Sequence, residues 1–247
     1  MQRTWELYLG ALLLEHGYPL EKPPSDGPDL KIRRSERPVW IEAVAPQAGT
    51  GADKAERMYS WKQRTPYGFR ATFKVDKDKT VLRYTHALEK KRQQLQQFQQ
   101  RNIVAGSEPV VVAISGAAIE DADLCDDFPD ILRAVYGIDE TVLHVPVGAS
   151  VEPWESVTTR KEVNKAAGAP VGVTAFVGNN CRDVSAVLFS PDALCAELSG
   201  QQVITVHNLR AQNPLERGFF RFGLEYWIDE QTGQLRSQDY RALRGNT

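Results

Sequence analysis

Apolar residues fall along the chain in two kinds of pattern. Val39, Trp40, Ile41, Ala43, Val44 and Ala45 form a short continuous run with one acid, Glu42, at its centre, and Val110, Val111, Val112, Ala113 and Ile114 form another behind Glu108 and Pro109. Runs of this length, rich in β-branched residues, read as strands inside a sheet covered on both faces. Helical spacing marks two further stretches. Trp5, Tyr8, Leu9, Leu12 and Leu13 make one apolar stripe; Val81, Tyr84, Leu88, Leu95 and Phe98 make a second over residues 80–100, recurring at three-, four- and seven-residue steps. Turn formers Pro23, Pro24, Ser25, Asp26 and Gly27 precede a short strand-like segment, residues 28–32, which predicts a hairpin with the run at 39–45.

Residues 46–80 read as an insertion that opens on Pro46 to Gly51 and makes a hairpin around Thr65, Pro66, Tyr67 and Gly68. In the second half, a helical segment at 128–136 is followed by strand candidates at 141–147, 171–177, 184–190 and 202–206, expected to extend the same sheet or cover its edge. The pattern predicts an α/β protein with a central mixed β-sheet flanked by helices.

Composition narrows the class. With 42% hydrophobic and 25% charged residues over 247 positions, the chain has material for a sizeable core, and no run reaches membrane-spanning length. An apolar start at Leu7 to Leu14 lacks the features of a signal peptide, because Glu6 precedes it and Glu15 and His16 follow without a small-residue cleavage site. Cys125, Cys181 and Cys195 are odd in number and far apart, which predicts free thiols, a reducing compartment and a cytoplasmic location. They form no zinc pattern with the scattered His16, His86, His144 and His207. Net charge is −2 but unevenly spread: residues 54–92 carry twelve Lys or Arg against four acids, while residues 120–140 carry eight acids and one Arg. Tyr59, Trp61, Tyr67, Phe69 and Phe73 interleave the basic stretch, a mixture that suits phosphate neutralisation and base stacking and equally suits a solvated loop anchored by aromatics.

Glu42 carries the candidate chemistry. A buried carboxylate costs several kcal/mol unless a cation or several donors meet it, so it is either paired or kept for a reaction. The predicted hairpin sets Asp29 beside it, and two carboxylates on adjacent strands suit a divalent ion.

On these residues the chain resembles the PD-(D/E)XK nuclease superfamily. Pro28 and Asp29 supply the proline and first acid, and Glu42, Ala43 and Val44 stand where the family writes acid, any residue, lysine; the lysine position therefore holds Val44. The resemblance implies a restriction-endonuclease-like core over residues 1–116 with a basic insertion at 46–80, and a C-terminal extension, 117–247, packed on it as one structural unit. It also implies a lysine that orients the attacking water, which some members carry on the following helix. Lys91 fits there: it lies inside the apolar stripe between Leu88 and Leu95, whereas Lys90, about 200° from Leu88 around the helix, and Arg83 face solvent. A snorkelling lysine is the alternative. Family members add an acid from the first helix, a part for Glu6, which otherwise reads as a first-turn glutamate favourable to the helix dipole. His207, at the end of a strand, either approaches the site or fixes a loop. The tail, with His207 and Asn208, Gly218 to Phe220 and Glu225 to Trp227, is similar to that of a bacterial group pairing a degenerate nuclease core with such a segment, a resemblance that carries no assigned activity.

The implied function is a divalent-metal-dependent nuclease cutting phosphodiester bonds of DNA or RNA. Asp29, Glu42, the Ala43 carbonyl and Glu6 hold Mg²⁺ or Mn²⁺, and Lys91 steers the water or the phosphate. Lys62, Arg64, Arg70 and Lys74 are expected to line one side of a cleft over Glu42 and contact nucleic acid, DNA foremost. No membrane is involved, and a homodimer or protein partner stays open. The rival is a catalytically inactive nuclease-fold module that binds nucleic acid or a protein partner, for which Val44 speaks. A third possibility is a structural component whose acidic 120–140 segment docks on a basic partner.

Overall fold

The computed structural model describes residues 1–34, 37–55, 58–65, 68–74, 76–119, 128–144, 154–191 and 198–244; for 58–65, 68–74, 143, 154–155 and 243–244 it describes the backbone alone. In chain order the elements are α1 (Gln2–Glu15), β1 (Leu20–Glu21), β2 (Leu30–Ile32), β3 (Val39–Val44), β4 (Met58–Thr65), β5 (Gly68–Lys74), α2 (Lys77–Gln100) and β6 (Val110–Ser115). They continue with α3 (Asp130–Val135), β7 (Ile138–His144), β8 (Trp154–Thr159), β9 (Glu162–Asn164), β10 (Pro170–Gly172), β11 (Ala186–Ser190), β12 (Ile204–His207), β13 (Leu224–Ile228) and β14 (Leu235–Asp239).

Eight strands form one mixed sheet in the order β1-β2-β3-β6-β11-β12-β13-β14. β3, β6 and β11 run parallel to one another, as do β12 and β13, and the other pairings are antiparallel. The continuous apolar runs have a direct cause: β6, β11 and β12 are buried at every position because both faces are covered. On one face, Trp40, Val110, Val112 and Ile114 pack against Val81, Tyr84 and Leu88 of α2 and Ile131 and Leu132 of α3. On the other, Ile41, Ala43, Val111 and Ala113 pack against Trp5, Leu9 and Leu12 of α1 and the aromatic cluster Phe219, Phe220 and Phe222. Trp5 is fixed there by its indole N–H, which donates to the Ala113 carbonyl at 3.0 Å.

The fold is thus α/β with a central mixed sheet flanked by helices. The insertion hairpin closes as expected, with Thr65 opposite Gly68. In the second half the segments at 184–190 and 202–206 enter the main sheet as β11 and β12, whereas the other two behave differently. The segment expected at 141–147 starts at Ile138 and pairs with β8 in a separate ribbon, and its residues 145–147 lie outside the described residues. The expected strand at 171–177 ends at Gly172; Val173 and Phe176 are fully buried in the turn that follows, while Val177 is exposed. Apolar side chains filled a packed turn there, a spacing that imitates a strand. No helix among the described residues is long and apolar enough to cross a membrane.

Candidate functional site

Glu42 stands opposite Val112 of β6, on the face whose neighbouring positions, Trp40 and Val44, pack toward α2. Its side chain is only 2% exposed. From α2, Lys91 meets it: Nζ lies 2.6 Å from Glu42 Oε1 and 3.3 Å from Gln94 Oε1. Glu42 Oε2 is buried and has no hydrogen-bond partner among the described residues. Lys90 is exposed, as its place on the helix requires. Arg83 departs from expectation: it is half-buried, with its guanidinium lying over Gly49, whose φ of 86° and missing Cβ make room for it.

Asp29, the residue before β2, reaches the same place. Leu30 pairs with Ile41, so one further step of the register sets Asp29 opposite Glu42 on the shared face. Past that point β3 has no strand partner on its β2 side among the described residues, and two side chains take over its backbone groups. Asp29 Oδ2 accepts from the Ala43 N–H at 2.8 Å. Gln2, the first residue of α1, donates from Nε2 to the Ala43 carbonyl at 3.0 Å and accepts on Oε1 from the Ala45 N–H at 2.9 Å. The same Nε2 donates to Glu6 Oε1 at 2.8 Å, and Glu6 Oε2 pairs with Arg3 at 3.0 Å. Gln2 therefore ties Glu6 to the strand end that carries Glu42, a part that no sequence pattern marks because a polar residue at a helix start breaks no periodicity.

Burial dominates the electrostatics. It raises the Glu42 carboxyl, Lys91 opposes the rise, the charge of Asp29 adds to it, and the result is a pKa pushed up to about 7. Burial also raises Asp29, against the pull of the Ala43 N–H and with a contribution from the Glu6 charge. A carboxyl that exchanges its proton near neutrality, paired with a lysine and flanked by a second acid, can serve as a base or as a ligand for a hard cation.

The structure thus brings Asp29, Glu42, Ala43 and Lys91 together, with Glu6 at the margin. No group of three or more His, Cys, Asp or Glu side chains converges as a ligand set among the described residues. The Lys62, Arg64, Arg70 and Lys74 side chains lie outside the described residues, although the β4–β5 hairpin backbone that carries them is described. His207 does not approach Glu42: it ends β12, three places across the sheet from β3, and pairs with Glu225 at 2.7 Å. Cys181 is a free, buried thiol whose pKa burial pushes up to about 12. In the sequence Glu225 is named only as part of the tail and given no role, yet Leu224, Glu225, Tyr226, Trp227 and Ile228 repeat the signal that marks Glu42, an acid inside an apolar run. Comparison with protein-family models, with curated proteins and with solved structures found no match to this chain.

Proposed function

We propose that the chain is a divalent-metal-dependent phosphodiesterase of the PD-(D/E)XK kind, acting on nucleic acid, DNA foremost, in the cytoplasm. The observation that carries this reading is the contact between the buried Glu42 and Lys91 of α2, with Asp29 alongside. The residues fit a hard ion such as Mg²⁺ or Mn²⁺: a buried carboxylate oxygen without a partner among the described residues stands next to a second acid, and all donors are oxygens. Asp29, Glu42 and the Ala43 carbonyl would hold the ion, with Glu6 as a further carboxylate. When bound, it supplies polarisation of the scissile phosphate and a more acidic water. Lys91 places its ammonium at the carboxylate, where it neutralises charge developing on a phosphate oxygen, the work for which Val44 has no donor. Gln2 and Asp29 hold the end of β3 in register, so that Glu42 keeps its place while α1 and α2 cover both sides.

A nuclease assay on mixed DNA and RNA substrates, with and without Mn²⁺, tests the reading. Cleavage should require metal and vanish in Glu42→Gln and Asp29→Asn. A readout free of activity accompanies it: Mn²⁺ should raise the Tm of the wild type and leave both variants unmoved. A second reading, an inactive module that keeps the fold for binding, is favoured by one feature, the ion pair that Lys91 makes with Glu42 Oε1. Wild type that binds nucleic acid yet neither cuts it nor responds to Mn²⁺ would decide for that reading.

A further inference from the structure

Two of the oxygens assigned above to the ion, the Ala43 carbonyl and a carboxylate oxygen of Glu6, are already engaged, and one side chain engages both. Gln2 Nε2 donates to the Ala43 carbonyl at 3.0 Å and to Glu6 Oε1 at 2.8 Å, so each of its two hydrogens serves one of them. Gln2 Oε1 accepts from the Ala45 N–H at 2.9 Å. A side-chain amide offers a donor and an acceptor as a peptide group does, and here it gives the end of β3 the contacts that a neighbouring strand would supply. Its place is fixed from α1. Three residues on, Trp5 is fully buried and donates its indole N–H to the Ala113 carbonyl at 3.0 Å, which seats the first turn of the helix on the sheet.

The Gln2 donors aim the positive ends of two N–H dipoles at oxygens that a hard cation seeks for itself. A cation arriving at those oxygens meets the two hydrogens as like charge, so it takes them as the amide lets go. The other oxygen of Glu6 does not decide the matter, because its partner Arg3 is 92% exposed and an ion pair so open to water contributes little. The Gln2 contacts are of another kind. Both are partly buried, and the one to Glu6 is a charge-assisted hydrogen bond.

We infer that Gln2 is a positioning residue that exchanges with the ion: its amide holds the Ala43 carbonyl and Glu6 until a cation takes them, and release of Nε2 accompanies loading. This rests on the reading of Asp29 and Glu42 as metal ligands. The test is Mn²⁺ binding to the full chain, followed by the loss of the free-ion signal in electron paramagnetic resonance, for wild type, Gln2→Met and Gln2→Glu. Methionine keeps the length of the side chain and cannot donate, so Gln2→Met should bind Mn²⁺ about tenfold more tightly or more, the scale of one hydrogen bond to a charged group. A residue that merely supported the strand end would give the reverse, because its loss lets Glu42 drift. Glutamate still accepts from the Ala45 N–H, so Gln2→Glu should also bind more tightly, and it decides the matter if Gln2→Met does not fold. A second readout uses the wild type itself: Mg²⁺ should shift the Gln2 side-chain NH₂ resonances saturably in NMR, signals identified by their absence from Gln2→Glu. Wild type that binds Mn²⁺ at least as tightly as either folded variant, or Gln2 signals that stay in place while Mg²⁺ saturates the other resonances, would overturn the inference and leave the metal reading standing. Wild type and variants that all ignore Mn²⁺ would remove the metal reading and this inference with it.

Discussion

At the scale of single residues, the fold holds Glu42 in an environment that favours its neutral form, and this has a thermodynamic signature. A carboxyl whose pKa is raised by folding contributes stability that is fully present below its unfolded value and is lost as pH rises through the folded value. For Glu42 that window runs from about 4.5 to about 7. Wild type should therefore lose stability relative to Glu42→Gln across this range, by about 2 kcal/mol, measured by urea unfolding at pH 5 and pH 8. Parallel curves for the two proteins would mean that Glu42 is not held in its neutral form. Lys91 makes the complementary case. Because it pairs with Glu42 at 2.6 Å, Lys91→Ala removes the main opposition to burial and pushes the Glu42 carboxyl further up. In the proposed reaction this variant should lose roughly 10² in rate. It should also bind Mn²⁺ more weakly at pH 7 than at pH 8.5, since the proton competes for the same oxygen. Lys90→Ala, on an exposed position, should match wild type in both measurements.

At the scale of elements, strands buried on both faces and helices with one apolar stripe were legible because their patterns follow directly from what covers them. β3, β6, β11 and β12 announced themselves as continuous runs, and α1 and α2 by their stripes. Lys91 was legible for the same reason: a lysine inside the buried face of a helix must meet something, and the strand beneath offered an acid. What escaped is equally physical. β13 escaped although it carries the same mark as β3, an acid inside an apolar run, because what keeps Glu225 buried, His207, Gly218 and Tyr240, lies outside the strand. Entry into β13 depends on Gly223, whose φ is 66° and whose absent Cβ would lie 1.9 Å from the Val203 carbonyl oxygen. Gly223→Ala must displace backbone rather than a flexible side chain, so it should cost about 2 kcal/mol or more. A thermal-unfolding midpoint within a degree or so of wild type would show that this turn adapts freely.

At the scale of the whole molecule, the order of strands decides whether the part that carries the candidate site is self-sufficient. The residues from α1 to β6 contain Asp29, Glu42 and Lys91, and in sequence they resemble a complete core. In the sheet, however, β6 is paired on both sides, by β3 and by β11, and β11 arrives from residues 186–190. Stopping the chain at residue 116 would strip one edge of β6, whose six residues are all buried, and present it to solvent as an unprotected apolar strand. On the α1 face the Phe219, Phe220 and Phe222 cluster would go, and on the α2 face Ile131, Leu132 and Phe189 would go. Each loss removes covering side chains from strands whose composition demands cover on both faces. Residues 1–116 alone should therefore aggregate or lack a cooperative thermal transition, whereas the full chain unfolds cooperatively. Circular dichroism melts and size-exclusion chromatography of the two proteins decide it: a monomeric 1–116 fragment that melts sharply would show that the sheet is complete at β6 and that the later strands merely lean on it.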